Sequence, residues 1–99
     1  MQHLPIICTL SPATAATRKA DLLTGLVRRA TAREDVPDGM RFRFSVEDLS
    51  AVMSTIEQER QCCRFLQFDV RIEPDGGPVW VSLSGPPGTR EFLIALIDA

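Results

Sequence analysis

Tyrosine is absent from this 99-residue chain, histidine and tryptophan occur once each, and aromatic residues make up 6% of it. The lone histidine, His3, stands apart near the N-terminus, which excludes a Ser-His-Asp constellation. Charge of one sign is also lacking. Eleven basic residues against thirteen acidic ones leave a net charge of -2, which supplies no electrostatic case for binding nucleic acid. Arg28, Arg29 and Arg33 cluster locally, and a solvated helix face accounts for them. No segment approaches the roughly 20 continuous apolar residues of a membrane span. The opening Met1-Gln2-His3-Leu4-Pro5 has no basic stretch of the kind that begins a signal peptide. Three cysteines, two of them adjacent, make a poor disulfide framework. Free thiols in a reducing cytoplasm are therefore expected.

What is present describes one α+β domain over residues 1–99. At 44% hydrophobic and 24% charged, the chain has the composition of a globular protein and the length of a single domain with one modest core. Leu4-Pro5-Ile6-Ile7-Cys8-Thr9-Leu10 is a short apolar run that reads as a buried strand. Ser11-Pro12 suits a helix start, and Ala16, Leu22, Leu23, Leu26, Val27 and Ala30 recur at helical spacing, predicting a helix over about 12–32. Residues 34–39, with Pro37 and Asp38-Gly39, read as a turn. Met40, Phe42 and Phe44 alternate with Arg41 and Arg43 as a half-buried strand. Ser45-Val46-Glu47-Asp48 resembles a capping box ahead of a second helix whose apolar stripe would be Leu49, Val52, Met53, Ile56 and Cys63, ending near Phe65 or Leu66. Phe68, Val70 and Ile72 form a third strand and Val79, Val81 and Leu83 a fourth, joined across Pro74-Asp75-Gly76-Gly77 as a hairpin. Gly85-Pro86-Pro87-Gly88-Thr89 leads into a last helix with Phe92, Leu93, Leu96 and Ile97 inward. That segment lacks the Lys-Ser/Thr end of a phosphate loop, and its prolines remove backbone donors, so it is a strand-to-helix turn. The order β-α-β-α-β-β-α with half-polar strands predicts a two-layer sandwich, helices on one face of a four-stranded mixed sheet. A thioredoxin-like fold has the same order and stays open, although no Cys-x-x-Cys marks a strand-to-helix turn.

The chemistry-bearing residues are the thiols Cys8, Cys62 and Cys63. Neighbours on a helix point about 100° apart. Cys63 follows Ile56 by seven and joins the apolar stripe, whereas Cys62 turns toward the flank of Gln58 and Glu59. Glu59 precedes the two by three and four residues, so its carboxylate can approach both sulfurs. Arg60 and Arg64 favour thiolate and Glu59 opposes it. If Cys8, at the end of the first strand, meets the pair, three thiols make a soft trigonal site for mercury(II), arsenic(III) or copper(I). Structural zinc needs a fourth ligand, from Glu59, His3 or water. Two other readings stand beside this one. Adjacent cysteines can form a vicinal disulfide and act as a redox switch, and free cysteine also packs as a small buried hydrophobe.

The segment Glu59-Arg60-Gln61-Cys62-Cys63-Arg64-Phe65-Leu66-Gln67-Phe68, with Cys8-Thr9-Leu10 near the start and Gly77-Pro78-Val79-Trp80 and Ser84-Gly85-Pro86 near the end, resembles a group of small uncharacterised bacterial proteins. They carry an E-R-x-C-C-x-F-L-x-F pattern and a C-T-L run, and they are linked to mercury and other heavy-metal resistance. The resemblance covers most of the chain. It implies soft-metal binding through Cys8, Cys62 and Cys63. Beside it, the residues themselves offer Glu59 and Arg60 as auxiliaries, no organic cofactor is expected, the role leans away from catalysis, and a metal-handling partner is an open expectation.

Trp80 is out of phase with Val79, Val81 and Leu83 and belongs to the other sheet face. An indole there beside Arg41, Arg43 or Arg71 suggests a cation–π contact or an interface. A homodimer, or a non-catalytic interaction module built on that face, is the alternative function.

Overall fold

The computed structural model describes residue 23 and residues 25–98. The expected strand at 4–10, with Cys8, as well as His3 and most of the first helix, lie outside the described residues. Leu23 and residues 25–27 are helical. The elements that follow are β1 (Ala32–Val36), β2 (Gly39–Phe44), a 3-10 turn (Val46–Asp48), α1 (Leu49–Cys62), β3 (Gln67–Ile72), β4 (Val79–Ser84) and α2 (Thr89–Ile97). The fold is α+β, and the four strands among the described residues form one sheet in the order β1-β2-β4-β3.

Every pairing among the described strands is antiparallel, so the mixed sheet predicted from sequence is not what these strands make. The fourth strand is also a different one. Residues 32–36 were expected to be the helix tail and a turn, and they are an edge strand paired with β2 through the two-residue loop Pro37-Asp38. The strand escapes the sequence pattern because its inner-side residues are charged. Arg33 and Asp35 lie on the helix-covered side of the sheet, where sequence pattern demands apolar residues. They are held there by ion pairs to α2 and the residue after it: Arg90 to Asp35 at 2.9 Å and Arg33 to Asp98 at 3.1 Å. Charged residues on the inner side of this edge, ion-paired in solvent, erase the alternation that announces a strand.

The central strands behave as their pattern requires. Met40, Phe42 and Phe44 of β2 oppose Leu83, Val81 and Val79 of β4, and all six are 3% exposed or less. Antiparallel neighbours share a face, so these residues form one apolar sheet surface. Val52, Cys62 and Cys63, Leu93 of α2, and Leu23 and Leu26 join them in one buried cluster. Full burial of each large side chain contributes about 1.5–3 kcal/mol. Phe65 meets Phe92 edge to face at 5.1 Å, closing the core between the end of α1 and α2. Among the described residues no helix is long and apolar enough to cross a membrane.

The start of α1 departs from the predicted capping box. Ser45 Oγ accepts from the Glu47 backbone N–H at 3.2 Å, which caps the 3-10 turn. The Asp48 carboxylate does not complete the box and instead accepts from Arg29 at 3.0 Å. At the other end of the sheet, Gly88 opens α2 with φ of 102°, a left-handed conformation that side chains disfavour. Thr89 Oγ1 donates to Pro86 O at 2.7 Å, which fixes the turn between β4 and α2.

Two outcomes follow. A Cβ at Gly39 would collide with the Leu83 backbone, which has no freedom to retreat. Gly39→Ala should therefore destabilise the protein by about 1–3 kcal/mol, read as a lower denaturant midpoint. The Arg90 guanidinium, chiefly through its hydrogen bond, holds the Asp35 carboxyl below its ordinary pKa. The ion pair thus helps the folded state above the ordinary carboxylate range and loses its effect as pH falls through the lowered value. In Arg90→Gln the NMR titration midpoint of Asp35 should move up.

Candidate thiol site

Helix α1 carries the site, and its buried stripe is not the expected one. Val52, Thr55, Glu59 and Cys62 are its buried residues, spaced three, four and three apart as one helix face requires. Met53, placed on the stripe from sequence, is 47% exposed, and Cys62, placed on the flank, is 2% exposed. The whole face is rotated from the expected phase because two of its four members, Thr55 and Glu59, are polar. A search for apolar repeats passes over them.

Cys63 is buried as expected, but by a different route. It lies just past the helix, with φ of -106° and ψ of 76°, so helical phase does not set its direction. Its backbone N–H still donates to Glu59 O at 2.6 Å. The chain leaves helical conformation at Cys63, and both cysteines are buried. An unbroken helix would turn them about 100° apart.

The two sulfurs differ in chemical state. Cys62 is disulfide-bonded, whereas Cys63 is outside any disulfide and has no exposed surface. The expectation of free thiols throughout therefore fails at Cys62. Cys8, the third cysteine of the sequence, lies outside the described residues. The Cys63 thiol donates to Glu59 Oε2 at 3.5 Å, a buried contact. Glu59 itself is 1% exposed, which is rare for a carboxylate. Its position four residues before Cys63 is what sequence spacing provided for. That it would be buried was legible only from the 52-55-59-62 spacing.

Arg60 points elsewhere. It is exposed and makes two hydrogen bonds to Glu57, at 2.9 and 3.1 Å, and Gln61 adds a third to the same carboxylate. The Arg60 hydrogen bond is the main cause of a lowered Glu57 pKa, so this cluster is a solvated surface arrangement, worth little to stability. Among the described residues no group of three or more His, Cys, Asp or Glu is arranged to hold a metal ion.

The other candidate surface is the outer face of the sheet. Trp80 is half-buried, its Nε1–H donating to Glu73 Oε1 at 3.1 Å. The Arg41 guanidinium lies 4.4 Å from the ring centroid and that of Arg43 lies 5.8 Å away. Arg41 is also paired with Glu34, its Nε donating at 2.7 Å, and Arg43 donates to Thr31 Oγ1 at 2.8 Å. Trp80, Arg41 and Arg43 thus come together, and the contacts they make lie within one chain. No family model, no curated protein and no solved structure matches the chain.

The different states of the two cysteines are directly measurable. Alkylation of the unreduced, denatured protein followed by peptide mass analysis should label Cys63 and leave Cys62 unmodified. Labelling of both after treatment with a reductant completes the expected pattern.

Proposed function

We propose that the protein binds a soft metal or metalloid ion, such as mercury(II), arsenic(III) or copper(I), through Cys8, Cys62 and Cys63 in its reduced state. The role is sequestration, delivery or sensing, without catalysis. The observation that carries this reading is that Cys62 is joined to another sulfur while Cys63, next to it, keeps its thiol. Cys8 would supply the third thiol of the set. Sulfurs placed to bond one another need separate only modestly to grip one ion, given metal–sulfur bonds of about 2.3 Å. Reduction of that disulfide by two electrons and two protons returns the Cys62 thiol next to that of Cys63, and with Cys8 three thiols would suit a thiophilic ion.

Burial favours an ion over a protein as the visitor. Cys62 and Cys63 are at most 2% exposed, and thiol exchange with a macromolecular partner needs an accessible sulfur. A bare ion needs far less room. Glu59 supplies what a cation site in an apolar core needs. Its carboxylate stands at the Cys63 thiol, where it takes up the proton that metal binding displaces and adds negative charge. The resemblance of residues 59–68 to proteins linked to heavy-metal resistance points the same way. In a reducing cytoplasm, disulfides are typically transient or sensing, so the Cys62 disulfide would be the closed state of the site. The apolar inner and polar outer faces of the sheet support a two-layer architecture under it.

A second reading, a thiol redox protein, draws on the same disulfide. One experiment separates the two. Reduced protein titrated anaerobically with mercury(II) should show a saturable thiolate–metal absorbance band. The band should be lost in Cys62→Ser, weakened in Cys63→Ser and absent from the oxidised protein. No band, or one unchanged in Cys62→Ser, overturns metal binding. A reversible thiol midpoint at physiological potentials without any band supports the redox reading instead.

A further inference from the structure

The two edges of the sheet are built differently. β1, on one side, carries three consecutive charged residues, Arg33, Glu34 and Asp35, and all three are ion-paired within the chain. Charges of this kind keep an edge from pairing with another strand. β3, on the other side, has no strand on its outer flank among the described residues. Five of its six residues are exposed. Its inward-facing row is Phe68, Val70 and Ile72, opposite Leu83, Val81 and Val79. Val70 is nonetheless 37% exposed and Ile72 53%. An apolar row on an open edge is the arrangement that single-chain proteins avoid.

We propose that the occupant of this edge is a second copy of the chain, paired antiparallel through β3 so that two four-stranded sheets become one of eight. The sequence of β3 is complementary to itself in one register. A two-fold axis through the sheet makes one residue face its own mate, with opposed residues on a shared face. Centred on Asp69, the pairing sets two carboxylates against each other. Centred on Arg71, it sets two guanidinium groups against each other. Centred on Val70, it places Val70 against Val70, Phe68 against Ile72 and, on the solvent side, Asp69 against Arg71 twice. That register gives an unbroken apolar row on one face and two opposite-charge pairs on the other, the combination that stabilises cross-strand neighbours. The dimer therefore forms at the edge of the sheet, and the Arg41–Trp80–Arg43 face stays free. The proposal does not depend on the thiol site.

Light scattering across a concentration series, with reductant present, tests it. The wild-type chain should approach twice its 11.0 kDa mass. Asp69→Arg and Arg71→Asp each create two like-charge pairs and should raise the dimer Kd about tenfold or more. The double variant Asp69→Arg/Arg71→Asp restores both pairs and should recover the wild-type Kd. Both positions are exposed, and circular dichroism checks that each variant stays folded. A wild-type monomer at all concentrations, single variants with unchanged Kd, or a double variant that fails to recover overturns the proposal. So does a monomer whose β3 amides are protected from exchange, which would assign the edge to another segment of the same chain.

Discussion

The register between β2 and β4 is the constraint on which the remaining structure depends. Phe42 faces Val81, Met40 faces Leu83 and Phe44 faces Val79, and these residues make the floor of the core. A slip of one residue would turn all of them to the outer face and bring Arg41, Arg43 and Trp80 inward. Gly39 secures the register by letting β2 approach the Leu83 backbone more closely than any side chain allows. Val52 and the two cysteines belong to the same buried cluster. The chemistry of the site is therefore built on that floor.

Among the described residues one carboxylate is buried in the core, and it is beside the thiol. A carboxylate in an apolar interior is costly unless it is hydrogen-bonded or meets positive charge. Glu59 sits on the buried stripe of α1 with the Cys63 thiol against it. The surface of the same helix is conventional by comparison, with Arg60, Gln61 and Glu57 joined in solvent. The helix thus carries a solvated polar cluster on one side and, on its buried face, an acid that meets the Cys63 thiol.

Much of this was readable from the residues, with a physical reason wherever it was not. β2, β3, β4 and α2 follow period-2 or period-3.6 hydrophobic patterns, and their positions agree with the sequence to within a residue or so. The thiols, Glu59 and the Trp80 face were all singled out by spacing. β1 was missed because Arg33 and Asp35 are held by distant charges, Asp98 and Arg90, that no local pattern reveals. The phase of α1 was misread because Thr55 and Glu59 occupy core positions. Cys63 is buried where its spacing from Ile56 placed it, although the chain leaves the helix there. The Cys62 disulfide is a tertiary pairing, which cysteine spacing does not determine.

The single tryptophan lies on the side of the sheet away from the apolar cluster that contains the cysteines, tethered to Glu73 and flanked by two arginines. With no tyrosine in the chain, ultraviolet emission above that of phenylalanine comes from this one position. The optical signal of the molecule is thus insulated from its sulfur chemistry by a full thickness of sheet. Intrinsic fluorescence reports on the β3–β4 hairpin, and a change in it on treating the thiols would mean that the strands themselves had moved.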